Sequence, residues 1–454
     1  MLSHLVSLSR RTVSGLITTS GCQWNDWSAD YRLLSKERFN PESVFGVVRR
    51  ELIDALPKNS PLLVAIDDTT SRKKGRKIPG TAWRRDSMSP PFHTNFIWGQ
   101  RFIQISGIFP PEKEDAPGRA IPMDLHHAPG AKRPPKKAPP ESWAEYGLAS
   151  KQQSLSRQGV ERIQKLRADM NSDGESERSL WVVGDGSYTN GTVLKNLPEK
   201  TVFTGRIRSD AKLHLPPTEE EVSGKLGRRL KYGKTIIRPE EVRQDSTVEW
   251  QKIPVYAAGK VHEFRYKTVG PLLWRKSGGD RPLRLVVIAP LGYRLTRHSK
   301  LLYRRPAYLI CSDPDINAAD LIKAYVNRWD IEVNFRDEKG LLGFNEAQVR
   351  TEAGTRLAPA LAVSCYALLL LAASRVFGTN GIPSALPPPK WRKNIRRSRA
   401  STNELMNHLR FELWATAIGK SNFSHFVTPP RTHTKPEKYL PNLPSALFYA
   451  HPSA

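Results

Sequence analysis

The chain has 454 residues, 39% of them hydrophobic, with 71 Lys and Arg against 44 Asp and Glu, a formal charge of +27. That length predicts roughly two to four domains with sizeable cores, and the hydrophobic share excludes a wholly disordered chain. The basic excess points to a polyanionic partner, nucleic acid first because each neutralised phosphate releases counterions; a solvated basic surface and a membrane surface are the weaker alternatives.

In chain order, "MLSHLVSLSRRTVSGLITTSG" is Ser-rich, with Arg10 and Arg11 and no acid before Asp26, loosely like an organelle transit peptide. Targeting is the minority reading, and the apolar runs are too short for a secretory signal. Amphipathic stretches at "DWSADYRLLSKERF" and "PESVFGVVRRELIDAL" make residues 1–58 a helical region. "PLLVAIDD" reads as a buried strand with two carboxylates at its C-terminal tip. "FIWGQRFIQISGIFP" follows as a strand or hairpin. A short strand at 120–125 is flanked by Pro-rich basic sequence, expected to be an exposed loop or linker. "KQQSLSRQGVERIQKLRADMN" predicts an amphipathic helix, and "SLWVVGDGSYTN" an apolar strand ending in Asp185. "TVFTGRIRSD" is a further strand. These elements make 59–209 the first part of an α/β core.

Residues 210–282 turn polar and basic, with short alternating stretches, and read as a mainly β insertion. Residues 283–378 return to core-like strands and end in two helices. The first, "DINAADLIKAYVNRWDIEVNFRDEKGLLG", reads as one long helix with Asp315 or Asn317 as N-cap. The second, "LAPALAVSCYALLLLAAS", approaches membrane-span length, but its Ala content, Pro359 and position favour a buried core helix. Residues 379–454 hold a basic Pro-rich linker, "ALPPPKWRKNIRRSR", and one helix, "STNELMNHLRFELWATAI". Cys22, Cys311 and Cys365 are far apart, with no CxxC, which speaks against zinc, disulfides or thiol chemistry and fits a reducing compartment.

The chemistry-bearing pattern is a set of acids at strand ends. A lone Asp there is usually a solvated turn residue. Two such tips, Asp67/Asp68 and Asp185, together with Glu332 on a helix suggest a site for a hard cation, because Mg²⁺ takes oxygen ligands and leaves room for phosphates. At 100° per residue, Tyr325, Arg328, Glu332 and Lys339 share an arc of about 60°, while Asp330, Asp337 and Glu338 point away. Such a stripe suits a carboxylate on metal flanked by groups that hold phosphates. An intrahelical salt-bridge face built on Arg328 and Glu332 explains the helix equally well.

Taken together, "AIDDTTSRKKG", "VVGDGSYTN" and "YVNRWDIEVNFRDEK" resemble the DDE transposases of bacterial insertion sequences, in the branch marked by Tyr-x2-Arg-x3-Glu-x6-Lys. All four residues of that signature occur at its spacing, and the likeness spans 61–378. It implies a ribonuclease H-like catalytic core with a mainly β insertion, helical N-terminal and small C-terminal regions, and a cytoplasmic, nucleoid-associated bacterial protein. It implies that Asp68, Asp185 and Glu332 are catalytic and hold two Mg²⁺ ions, for which Mn²⁺ can substitute. Tyr325, Arg328 and Lys339 would hold DNA phosphates, and Lys73 and Lys74 in the loop after Asp68 are further phosphate contacts, with a solvated loop as the alternative.

Relatives in this branch cut through a hairpin at the transposon end, where an aromatic residue of the insertion stacks on a flipped base. Trp274 and Tyr303 are the candidates here, with packing of the insertion as the alternative for each. The partner implied is double-stranded DNA, both transposon ends and target, bound by a homodimer, with the end-binding surface in residues 1–58. A catalytically silent DNA-binding repressor and a general nuclease of the same fold are the rival readings. The intact carboxylates count against the first, and the long insertion and the Tyr/Arg/Lys stripe against the second.

Overall fold

The Ser-rich start folds as helix and is stitched into the rest of the chain. The computed structural model describes residues 1–86, 89–90, 92–223, 230–294, 296, 298–392, 398–419 and 443–449. In it, α1 (Leu2–Val6) and α2 (Val13–Thr19) bury His4, Leu5, Val6 and Ile17. The Arg11 amide donates to the Glu346 carboxylate at 2.6 Å, and Arg410 donates to the carbonyls of Val6 and Ser7 at 3.1 Å each. Burial pushes the His4 imidazole down to about 3, so it is held neutral beside the Leu342 carbonyl, 2.7 Å away. The transit-peptide reading thus falls on a packed segment.

α3 (Ser28–Ser35) is shorter than its sequence pattern, and α4 (Pro41–Asp54) starts where Asn40 accepts from the Glu42 amide and Pro41 supplies a preset φ. β1 (Leu62–Arg72) then passes through Asp67 and Asp68 instead of ending at them. The strand tip expected there is the end of its pairing with β5, described below. β2 (Ala82–Arg85), β3 (Phe96–Phe109) and β4 (Arg119–His127) follow; the β3 segment is one strand, not a hairpin. After the Pro-rich stretch comes α5 (Pro140–Gln152), and Ser154 caps α6 (Leu155–Ser172) through the Arg157 amide.

β5 (Leu180–Gly184), α7 (Gly191–Leu194) and β6 (Thr201–Arg206) complete this part. β3 pairs antiparallel with β1, and β4 antiparallel with β3; β5 and β6 run parallel to β1. Next come β7 (Leu213–His214), α8 (Glu219–Val222), β8 (Ile236–Ile237), α9 (Pro239–Gln244), β9 (Gln251–Ala257) and β10 (Lys260–Leu273). β11 (Pro282–Ile288) and β14 (Ala307–Cys311) join these strands to β6, with β12 (Gly292–Tyr293) and β13 (Leu302–Tyr303) as a separate pair between them. The architecture is mixed α/β on one twelve-stranded sheet, ordered β2-β3-β1-β5-β6-β14-β11-β10-β7-β8, with β4 on β3 and β9 on β10.

α10 (Ala318–Asn327) begins at Asn317, whose side chain accepts from the Ala319 amide, and α11 (Asp330–Gly340) follows. The single long helix expected here is two. The Trp329, Ile331 and Glu332 amides all bond three residues back, a tightened turn that shifts the helical phase. α12 (Glu352–Phe377) is long and apolar enough to cross a membrane, yet it is mostly buried, packed on α3, α4 and β4, as a core helix would be. α13 (Thr402–Trp414) opens with a Ser401/Glu404 capping box, and α14 (Leu443–Phe448) packs on it. The basic run at 393–397 and the chain from 420 to 442 lie outside the described residues.

Side-chain alternation sorts the core. The even residues Leu62, Val64 and Ile66 of β1 join the principal cluster with Val160 and Ile163 of α6. The odd residues Leu63 and Ala65 face Ile331 and Phe335 of α11, while Trp181 and Val183 of β5 face Leu321 and Ile322 of α10. One face of the sheet is therefore covered by α10 and α11, and the other by α6.

Candidate active site

The parallel register of β1 and β5 runs from Leu62↔Leu180 to Ile66↔Gly184. Continued by one residue, it sets Asp67 beside Asp185. Alternation puts both on the face covered by α10 and α11, and Asp68 on the opposite face. Asp185 is fixed by a local turn: its carboxylate accepts from the Ser187 amide at 2.8 Å and the Ser187 hydroxyl at 3.2 Å, and its carbonyl takes the Thr189 hydroxyl at 2.8 Å. Glu332 enters from the first turn of α11, where the helix dipole favours a carboxylate.

Arg328 joins the two sides. Its guanidinium is 3.1 Å from Asp67 and 3.3 Å from Glu332, and its side chain is 7% exposed. Burial pulls this guanidinium down, but Asp67, Tyr325, Glu332 and Asp185 outweigh that and raise it. Among the described residues its buried Nε has no hydrogen-bond partner, and neither has the hydroxyl of the fully buried Tyr188. Burial first, then the Asp185 charge, pushes the Asp67 carboxyl up to about 7 against the pull of Arg328. Burial also raises Asp68, countered by Arg101 and worsened by Asp185. Glu332 is raised by burial, with Arg328 pulling it back.

The other residues singled out from the sequence divide. Tyr325 packs against the core beside α10, its ring centroid 5.6 Å from the Arg328 guanidinium, and burial raises its hydroxyl. Lys339 ends α11 half-buried, its ammonium lowered by burial, and its charge reaches Asp68. Lys73 is half-buried and lowered by burial, and Lys74 is exposed. Trp274 is partly buried against the principal core, so the packing alternative describes it better than base stacking. Tyr303, on β13, is 65% exposed. Tyr325, Arg328 and Glu332 of the stripe stay in mutual reach, with Arg328 3.3 Å from Glu332. Across the tightened turn, Arg328 is buried against the sheet while Trp329 is 58% exposed. Asp330, Asp337 and Glu338 do point away from Glu332, but into the fold: Asp330 pairs with Arg399, Asp337 accepts from Thr402 at 2.6 Å, and Glu338 accepts from Gln104 at 2.9 Å.

Sequence reasoning missed the centrality of Asp67, treated as a mere neighbour of Asp68. The signal was present in the alternation, since an odd-numbered Asp on β1 shares the face of Leu63 and Ala65. It also missed Arg84 and Arg101, whose charges act on Asp68 from β2 and β3.

The donors on offer are carboxylate oxygens, raised by burial and by one another. That chemistry fits a hard divalent cation, which would relieve the repulsion Arg328 only partly offsets. Among the described residues, no group of three or more His, Cys, Asp or Glu side chains is gathered into a ready-made metal cage. A cleft of about 1070 Å³ lies elsewhere, on the far side of α11 beside Arg119, Asp337 and Arg399. No protein-family model matches the chain. No curated protein matches it either.

Proposed function

We propose that the protein is a DDE-type transposase that cuts the ends of a transposable DNA element and joins them to new DNA by phosphoryl transfer. The observation that carries this reading is the meeting of Asp67, Asp185, Glu332 and Arg328 at one end of the β1–β5 pair. A ribonuclease H-like core is supported by an antiparallel β1–β3–β4 unit that continues into the parallel strands β5 and β6. The +27 charge supports double-stranded DNA as substrate. A homodimer on DNA and a nucleoid-associated cytoplasmic setting come with the same reading.

Asp68, Asp185 and Glu332 are the residues that would hold Mg²⁺ or Mn²⁺, and the register brings Asp67 into contention with Asp68 for the sheet position. A pair of such ions supplies activation of the attacking oxygen and charge stabilisation of the leaving one. The chain's own residues position the strand. Among the described residues Arg328 has an Nε–H with no hydrogen-bond partner and the Lys339 ammonium takes part in no hydrogen bond or ion pair, and these two cations are the groups assigned to phosphate oxygens beside the cut. Asp67 holds Arg328 in place for this, and Tyr325 backs its guanidinium.

The test is cleavage, with Mg²⁺, of the DNA that flanks the gene. Asp185→Ala and Glu332→Ala should abolish cutting while end binding persists, and of Asp67→Ala and Asp68→Ala the deeper loss identifies the sheet ligand. Wild-type cutting by Glu332→Ala, or sequence-independent cutting of any duplex, sinks the proposal.

A further inference from the structure

The edge of the sheet at β2 carries a second constellation that none of the carboxylate chemistry uses. Trp83 on β2 faces Trp98 on β3 across the register, ring centroids 5.6 Å apart and edge to face. The Arg76 guanidinium lies 5.0 Å from each ring centroid, and the Trp98 indole N–H donates to the Gly75 carbonyl at 3.1 Å. Despite these contacts Trp83 is 57% exposed, and Phe96, paired with Arg85 on the same face, is 62% exposed. Arg72, Lys73, Lys74, Arg76, Lys77, Arg84 and Arg85 crowd the same 15-residue stretch, whose one acid, Asp86, is already paired with Arg72 at 2.8 Å.

Exposed aromatic rings among unneutralised cations match what single-stranded nucleic acid requires: π-faces for bases and a basic track for the backbone. A protein partner fits less well, because interface cores are depleted in lysine. The placement is also suitable. Alternation sets Trp83 and Trp98 on the face of Asp67 and α11, since Trp98, Gln100 and Gln104 alternate along β3 and Gln104 pairs with Asp67. Lys73 bonds to Trp98 six residues beyond Asp67, which is about 20 Å along the strand, or roughly half a turn of duplex.

We infer that the β2 edge is a binding site for unpaired DNA, with a base stacked on Trp83 and the adjoining phosphates on Arg76 and Arg85. The inference rests on the DNA-processing reading above and adds a strand-separated stretch of substrate to it. It adds to the two stacking candidates, the partly buried Trp274 and the exposed Tyr303, a residue that sequence reasoning passed over.

The experiment uses the full chain and two fluorescein-labelled probes, a 12-nucleotide thymidine strand and a duplex of equal length, followed by anisotropy. Trp83→Ala should weaken single-strand binding about five-fold or more and lower the single-strand to duplex preference, with Trp83→Phe restoring most of it. Arg85→Gln should weaken single-strand binding and flatten its salt dependence. Equal single-strand binding by wild type and Trp83→Ala overturns the inference and leaves the transposase reading intact. Absence of wild-type binding to either probe removes the DNA reading itself. Loss of self-association by Trp83→Ala in sedimentation, with DNA binding unchanged, would assign the edge to a second copy of the chain and overturn the inference.

Discussion

Two faces of α11 meet different fates. Toward the inner side, Asn334 accepts from Ser106 at 3.0 Å and donates to the Ala120 carbonyl at 3.1 Å, and Asp337 receives Thr402 and Tyr366. Glu338 is fully buried and raised to about 8, so it stays protonated with Gln104 at its side. This face is a polar layer between the sheet, α12 and α13, bonded within the fold apart from Glu338 Oε2 and Gln104 Oε1. On the other face, Glu332 has one partner among the described residues, Arg328 at 3.3 Å, and Lys339 has no hydrogen-bond or ion-pair partner there. The contrast teaches that a count of charges on a helix says little. Charges whose partners all lie within the fold hold it together, while charges left underpaired beside other carboxylates are available to a ligand.

The comparison breaks most sharply at Arg328, which belongs to both accounts. Arg328→Met should cost roughly 3 kcal/mol in urea denaturation, since Asp67 and Glu332 would face each other without their cation, and should end DNA cleavage. Asp337→Ala should cost about 2 kcal/mol by the same measurement, through the stranded hydroxyls of Thr402 and Tyr366, while cleavage measured below the unfolding temperature stays near wild type.

Glu338 sharpens the contrast through pH. Its folded-state carboxyl sits near 8 against an ordinary value of 4.5, so between these limits the folded chain holds a proton that the unfolded chain has released. Stability from this group is complete below about 4.5 and lost as pH rises through 8, by up to about 1.4 kcal/mol per pH unit. Glu338→Gln should therefore gain on wild type as pH is raised from 5 to 8; a constant difference across that range would show that the site is ionised. The smallest effect is expected at Lys339. Lys339→Gln should leave stability within about 0.5 kcal/mol and lower the slope of log binding constant against log salt by about one.

Much of the fold was legible because its elements carry local signals. The aliphatic runs of β1 and β5 stand where the residues indicated, and Asn317 is the cap of the two offered, Asp315 or Asn317. The site was legible as a set of residue types and not as a set of directions. No Pro or Gly marks the tightened turn at 328–332, and a straight helical wheel that set Arg328 with Glu332 gave no sign that Arg328 also reaches Asp67 on the sheet. The choice between Asp67 and Asp68 depends on which face α11 covers, which is a tertiary fact. Trp274 and Trp83 differ only in burial, and nothing in their flanking sequence separates the packed ring from the exposed one.

The most direct measurement is made on Glu332→Gln, with Mg²⁺-dependent cleavage of the flanking DNA and urea stability taken on the same preparation. Cutting should fall by at least about a hundred-fold while stability holds within about 1 kcal/mol of wild type. Undiminished cutting, or a loss of activity that merely tracks a loss of folded protein, would mean that Glu332 is part of a salt bridge and nothing more.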